Sequence, residues 1–474
     1  MPKRARLILG CLLVLAAAAP AAAVSAPRMP VGFQDDPSFR WRDDRLTNFN
    51  NAVTTGASII RTTAYWSRIA PARPANATDP LDPGYHFEDV DELVRNATAR
   101  GMTVLITIWG TPGWANGDQG ENHAPTNMAD LQNFAQALAA RYSGRYQAQL
   151  GPLYVSYYSV WNEPNLEEFL APAYKGGQPS SPGVYAKMAA AAYAGIKAGY
   201  RLALVGVGET SPRGKLRPSS GSGVQNTIAP GLFAQLVAQA APNLKFDAWA
   251  HHPYSGLGQG PDVRVAFPNV NLPQIPTFEK KLQQWFKRKF VKIWVTEYGF
   301  ETKPGEPKGV TLAQQAAYTK RTMAEVTDSP YIFMFIWFIF RDDPTSTWQS
   351  GLENQDNSHK PAFATFSNGA KALDFRSPIV YIKAHQSNPV IRVPVWELYA
   401  HDGVGAQLGA TVKTYYKSKN IAVSQPTSTI AIDGYASFMI PLKNPPKNTS
   451  YTVSIQINDK NGNRAFRSAT LIVP

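Results

Sequence analysis

Thr103-Val104-Leu105-Ile106-Thr107-Ile108-Trp109 is the stretch that decides the fold. It is apolar at consecutive rather than alternate positions. An extended chain of that kind hides both faces from water, as a parallel strand does when layers cover it on two sides. Ile293-Trp294-Val295 reads the same way. Working outward, further apolar runs occur at Val31–Gln34, Ser58–Ala64, Tyr154–Trp161, Leu202–Val207, Phe246–His252, Lys292–Tyr298 and Ile332–Trp337. Helical stretches lie between them, among them Ala129–Tyr142 and the Ala-rich Tyr185–Lys197. Eight strand-helix units predict an α/β fold, a (β/α)8 barrel over residues 30–375. The rival, a doubly wound open sheet, lacks its Gly-rich phosphate-binding turn here.

From about Ser377 helical periodicity gives way to strands at Val393–Leu398, Ala410–Tyr416, Thr429–Ile440, Tyr451–Ile457 and Arg467–Ile472. Asp459-Lys460-Asn461-Gly462 is a hairpin-turn signal. Residues 376–474 are therefore expected to form an all-β immunoglobulin-like sandwich. At the other end, Lys3, Arg4 and Arg6 precede an apolar run from Leu7 to Ala18, and Ala21-Ala22-Ala23 offers small side chains for cleavage. That pattern predicts a secretory signal peptide over 1–23 and an extracellular product. Cleavage there removes Cys11, the chain's one cysteine, and lowers the net charge from +13 to +10 by taking Lys3, Arg4 and Arg6. No later apolar run is long enough to span a bilayer, so membrane insertion is not expected.

The chain has 474 residues, 44% hydrophobic, which excludes a disordered protein and exceeds one ordinary domain. A single Cys excludes an intrachain disulfide framework. The net charge of +13 first suggests nucleic acid. Its densest cluster, Lys280-Lys281 with Lys287-Arg288-Lys289, sits on an expected helix, Phe278–Phe290, and reads as a solvated face. No nucleic-acid-binding motif accompanies it, so a nucleic-acid partner is excluded.

A barrel of this kind collects its chemistry at the C-terminal ends of its strands. Those ends carry Arg61, Tyr65 and Trp66; Trp109 with Trp114; Trp161-Asn162-Glu163-Pro164-Asn165; Glu209; His251-His252-Pro253-Tyr254; Glu297; and Trp337. Glu163 and Glu297, three strands apart and ringed by aromatics, suit cleavage of a glycosidic bond. One carboxyl protonates the leaving oxygen and the other attacks the anomeric carbon. Tryptophan faces suit the apolar C–H faces of sugar rings. A lone Glu at such a place reads more readily as a helix-dipole partner, but two together favour catalysis. His251 reads equally as a packed strand histidine or a ligand contact, and Glu209 as a substrate contact or, somewhat more readily, a solvated loop acid. Asp342-Asp343 lacks the third ligand a metal site requires.

With these residues in view, Trp161-Asn162-Glu163-Pro164 resembles the acid/base motif of clan A retaining glycoside hydrolases, and Trp294-Val-Thr-Glu297-Tyr298-Gly299 resembles their nucleophile motif. Arg61 with Trp66, and Pro112-Gly-Trp114-Ala-Asn116, look most like family 39 and its bacterial endoglycosidase-like members, with family 5 cellulase-like enzymes second. The resemblance implies Glu163 as acid/base and Glu297 as nucleophile. It further implies Asn162 on the sugar 2-hydroxyl, and Arg61 and Tyr254 on Glu297. His252 would orient the acid/base side, Trp337 would be the floor under the cleaved sugar, and Trp109 and Trp114 would line outer subsites or plug the barrel rim. It implies no cofactor, a carbohydrate substrate and endo action, with an anionic wall or matrix polysaccharide compatible with the basic charge. A non-catalytic glycan-binding or adhesion protein on the same scaffold is the alternative class.

Overall fold

The computed structural model describes residues 29–144, 153–220, 225–346 and 348–373. It also describes the backbone of 145–148 and 151–152 and, beyond 373, the backbone of the strands named below. Eight strands alternate with eight main helices. The strands are β1 Val31–Gln34, β2 Ile59–Tyr65, β3 Thr103–Trp109, β4 Tyr157–Val160, β5 Leu204–Thr210, β6 Ala248–His251, β7 Ile293–Val295 and β8 Ile332–Phe338. The helices are α1 Arg45–Thr54, α2 Glu88–Thr98, α3 Met128–Arg141, α4 Ser181–Gly199, α5 Pro230–Ala240, α6 Ile275–Phe286, α7 Leu312–Asp328 and α8 Pro361–Leu373. Each strand pairs in parallel with the next in sequence, and β8 pairs with β1 to close the barrel.

Side-chain alternation sorts each strand between two cores. Ile59, Leu105, Ala248, Ala250, Trp294, Met334 and Ile336 pack inside the barrel. Their neighbours Ile60, Val104, Ile106, Ile108, Trp249 and Trp337 face outward into the larger core beneath the helices. Gly206 of β5 makes room for the largest interior side chain: a Cβ there would meet the Trp294 ring at 2.7 Å. Above this apolar plug the inward positions turn polar, with Arg61, Thr107, Ser159, Glu209 and Thr296 all buried. That polar layer is the floor of the site.

Strand ends move by a few residues from the sequence expectation. Tyr154 belongs to a separate strand, Gly151–Tyr154, paired antiparallel with Ser143–Ala148. The basic helix ends at Phe286, with Lys287 left-handed at φ 53°. Arg288 folds back over the Phe246 ring at 3.6 Å and donates to the Phe246 carbonyl at 2.8 Å. The Lys287-Arg288-Lys289 cluster is thus partly a structural clasp.

Beyond 373, Ile379–His385, Val395–His401 and Tyr435–Pro441 form one antiparallel sheet. Lys419–Ser424, Thr411–Tyr416, Thr449–Asn458 and Arg464–Val473 form another. Asn458 lies opposite Arg464 in the register of the last two strands. The leader expected over 1–23 and the turn at 459–462 lie outside the described residues. Among the described residues, no helix is long and apolar enough to cross a membrane.

Candidate active site

Arg61, inward on β2 and 1% exposed, ties the polar floor together. Its Nε donates to Thr107 Oγ1 at 2.9 Å, and Nη2 donates to Asn162 Oδ1 at 3.1 Å. Nη1 donates to Glu297 Oε1 at 2.5 Å and also to Gln34 Oε1. Tyr254 donates its hydroxyl to the other oxygen, Glu297 Oε2, at 3.0 Å. Glu297 is therefore oriented from both sides by donors, as a carboxylate is.

His252, fully buried, joins three acids. It meets Glu163 Oε1 from Nδ1 at 2.9 Å and Glu209 Oε2 from Nε2 at 2.8 Å, and its Nδ1 lies 3.6 Å from Glu297 Oε2. Burial alone would discharge this imidazole, but Glu297, Glu163 and Glu209 outweigh it and push its pKa up to about 10. As imidazolium it donates from both nitrogens. Glu163 behaves in the opposite sense. Burial raises its pKa, with Glu297 adding to the rise and His252 working against it. The result is a carboxyl biased toward its protonated form beside one that accepts two hydrogen bonds.

Glu209 ends β5 in the polar floor, wholly buried, and is not the solvated loop acid its sequence context suggests. Burial disfavours its charge, yet Arg61 and His252 outweigh that and bring its pKa down to about 2. Thr296 Oγ1 also donates to Glu209 Oε2, at 2.5 Å. Burial works against the charge of Arg61 too, and Glu209 with Glu297 more than restores it. The backbone is strained around these groups. Six non-glycine residues among those described have positive φ, and three of them, Trp161 at 70°, Glu163 at 35° and Glu209 at 45°, lie here. Such conformations cost about 1–3 kcal/mol each and gather where geometry is imposed for function.

A cleft of about 770 Å³ opens over these groups. Asn162, Glu163, Tyr254 and Glu297 line it together with Trp109, Tyr65, Phe169, Arg213, Phe338 and Trp348. A second cavity of about 210 Å³ adjoins it, sharing Tyr254, Ser255, Gly256 and Trp348.

Two expected sugar contacts stand elsewhere. Trp337 is wholly buried, with Nε1 donating to the Ser350 carbonyl at 2.9 Å and its ring against Tyr298, Phe300 and Phe366. Ile336 and Phe338 take the inward positions of β8, so the residue between them must face out. Trp114 packs edge-on against buried Trp66, lies under Arg73 and donates to the Ala70 carbonyl at 2.7 Å. It plugs the rim and does not line the cleft. Phe338 and Trp348 are the aromatics present at the strand-eight side. Trp348 comes from the loop beyond β8, where no periodicity points to it.

His251 is a packed strand histidine. Its Nδ1 pairs with Thr210 Oγ1 at 2.8 Å and its Nε2 with the Val270 carbonyl at 2.9 Å, and burial lowers its pKa to about 3. Asp342 pairs with Lys360 at 2.6 Å and Asp343 with Arg42 at 2.7 Å, so both serve as ion-pair partners. The one group spaced for a metal ion among the described residues is Glu163, His252 and Glu297, with ligand atoms within 4.8 Å of one another. A histidine ligand must offer a lone pair. In this structure both His252 nitrogens are within hydrogen-bond distance of carboxylates, Nδ1 of Glu163 and Nε2 of Glu209.

The profile of the Cellulase family (glycosyl hydrolase family 5) matches residues 24–339. Among solved structures, the chain resembles a family 39 glycoside hydrolase from the gut symbiont Bacteroides cellulosilyticus WH2. It is 18% identical, with 88% of this chain and 81% of that one covered, at a TM-score of 0.53. It also resembles GH5_18 from Streptomyces cattleya in complex with GlcNAc, at 15% identity over 74% and 81% of the two chains and a TM-score of 0.53. At these identities the likeness is one of fold. No curated protein matches the sequence. With a closed eight-stranded barrel, a carboxylate and histidine cluster at its mouth, and a profile match across more than half of its 474 residues, the chain belongs to the Cellulase family, glycosyl hydrolase family 5, among the TIM-barrel glycoside hydrolases of clan A.

Proposed function

We propose that this is a secreted, retaining glycoside hydrolase that cleaves O-glycosidic bonds within a polysaccharide by double displacement. The observation that carries the reading is the spacing of the two carboxyls. One oxygen of Glu163 and one of Glu297 lie within 4.8 Å of each other, which is shorter than the roughly 6.5 Å or more that inverting enzymes leave for a water and so supports retention. Glu297, held by Arg61 and Tyr254, attacks the anomeric carbon while Glu163 gives its proton to the departing oxygen. A covalent glycosyl-enzyme forms. Glu163, now ionised, takes a proton from water, which releases the sugar with its original anomeric configuration. Asn162 uses its Oδ1 on Arg61, which leaves its amide NH2 to reach the sugar 2-hydroxyl. All transferred protons are held on these side chains and water.

The cleft and its adjoining cavity offer more room than one sugar ring needs, which supports endo action on a polymer. Arg213 in the cleft wall and a net charge of +10, lowered from +13 by removal of the leader, support an anionic wall or matrix polysaccharide as substrate. The leader over 1–23 and the sandwich over 376–474 complete the proposal as an export signal and an accessory domain. Two measurements test it. NMR of the first-formed product should show the retained anomer. Glu297→Gln should lower kcat at least about a thousand-fold on a cleaved glycan. Equal turnover by wild type and variant would remove Glu297 from its role, and an inverted first product would remove double displacement.

A further inference from the structure

Trp41 ends the short helical turn Pro37–Trp41 that follows β1. Ser38, Phe39 and Arg40 of that turn are buried, but Trp41 is 46% exposed and is the one exposed tryptophan among the described residues. An exposed apolar side chain standing alone needs no explanation. Trp41 does not stand alone. Its ring lies 6.4 Å from that of Tyr65, Tyr65 lies 5.9 Å from Trp109, and Trp109 lies 6.3 Å from Phe169. Tyr65, Trp109 and Phe169 all line the cleft that holds Glu163 and Glu297. The four rings therefore run without a break from the cleft wall to the open surface.

Arg68 adds a polar component to the outer end of this line. Its guanidinium sits 4.5 Å from the Tyr65 ring and 6.0 Å from the Trp41 ring. Other arginines that flank it in the sequence are spent on carboxylates: Arg40 on Asp36 and Asp89, Arg42 on Asp343, Arg45 on Glu92, and Arg73 on Asp130. Arg68 has no carboxylate partner among the described residues and is exposed. It is a flat, charged set of donors laid against two aromatic rings, free to bind a hydroxyl or an acidic group.

We propose that Trp41 and Arg68 form an outer binding position for the same glycan chain that is cut between Glu163 and Glu297. A sugar unit stacks its C–H face on the Trp41 indole while Arg68 donates hydrogen bonds to its oxygens. Tyr65 and Trp109 carry the chain from there into the cleft. This position rests on the glycan-cleaving reading of the site. It adds that the substrate is long enough to reach from the reacting bond, along three rings, to the barrel surface.

Affinity electrophoresis reads this binding without turnover. The probes are carboxymethylcellulose, a soluble mannan and glucuronoxylan, each cast into a native gel and run with wild type, Trp41→Ala and Trp41→Phe. In the gel that retards the wild type, Trp41→Ala should bind about three- to ten-fold more weakly. Trp41→Phe should restore most of the retardation, and the proteins should melt at the same temperature. The polymer KM of Trp41→Ala should rise by a similar factor. Equal migration of wild type and Trp41→Ala in all three gels overturns the proposal. Retardation that depends on Trp41 in a protein that cleaves no glycan sinks the hydrolytic reading and leaves the binding position standing.

Discussion

At the scale of single residues the site is a charge balance held in a small space. Arg61 and His252 supply positive charge beneath three glutamates. Glu209 and Glu163 have different environments and so different states. Glu209 has burial against it but two cations in contact, and its pKa is held down at about 2. Glu163 shares His252 and keeps a raised pKa because burial dominates. Environments that push neighbouring carboxyls apart are how one site supplies an acid and an anion at the same pH. The two tryptophans at the strand-eight side separate structure from binding. Trp337→Ala empties a filled core position and should cost about 3–5 kcal/mol in a denaturant titration. Trp348→Ala removes a half-buried cleft wall. It should leave the unfolding midpoint nearly unchanged while raising KM for a cleaved glycan several-fold, about the worth of one aromatic contact. The reverse pattern would put Trp337 back at the sugar.

At the scale of elements, two of the helices outside the barrel pack backbone to backbone. Helix α4 lies against α3 through Gly195 and Gly199, a pair four residues apart on one face. A Cβ on Gly195 would meet the Gln132 carbonyl oxygen at 2.1 Å, and one on Gly199 the Gln136 carbonyl oxygen at 2.3 Å. Both obstacles are backbone, so neither can rotate away. Gly195→Ala gains helix propensity but must push the two helices apart, and overpacking of this kind costs about 1–3 kcal/mol. Thermal unfolding should show a lowered Tm; an unchanged or raised Tm would mean that α3 and α4 are free to separate. Helix α4 follows β4, so the same variant tests whether Glu163 depends on this contact.

At the scale of the whole molecule, the site couples to stability through protons. His252 has a folded pKa of about 10 against about 6.5 for an unperturbed histidine. A raised folded pKa means that the folded protein binds more protons than the unfolded chain between those values. The resulting stability is complete below about pH 6.5 and drains away as pH rises toward 10. His252→Gln abolishes this linkage. The wild type should therefore lose more Tm between pH 7 and pH 10 than the variant does, although the variant starts lower because Glu209 keeps a buried charge with one partner fewer. Parallel curves would show that His252 is not the proton carrier. Glu209 contributes with the opposite sign: its lowered pKa stabilises above about pH 4.5 and is lost as pH falls toward 2.

The barrel was readable in the chain because buried parallel strands leave a local mark. Thr103–Trp109 and Ile293–Val295 announce themselves by continuous apolarity, and both are strands at the expected places. Arg61, Asn162, Glu163, His252, Tyr254 and Glu297 were readable for a related reason: each sits at or just beyond a strand end, and the topology brings all strand ends to one mouth. Direction and partnership were not readable. Trp337 and Phe338 are adjacent in β8, and the alternation of the strand alone sends the first outward and the second into the cleft. Trp348 reaches the site from a loop whose path no periodicity encodes. Glu209 looks like any acid after a strand until folding sets it between Arg61 and His252, both distant in sequence. Sequence by itself thus determined the barrel strands to within a few residues, their order, and the carboxyls gathered at the mouth. Tertiary structure decided which rings line the cleft and which charges are shared, because those depend on three-dimensional neighbours that linear spacing does not specify.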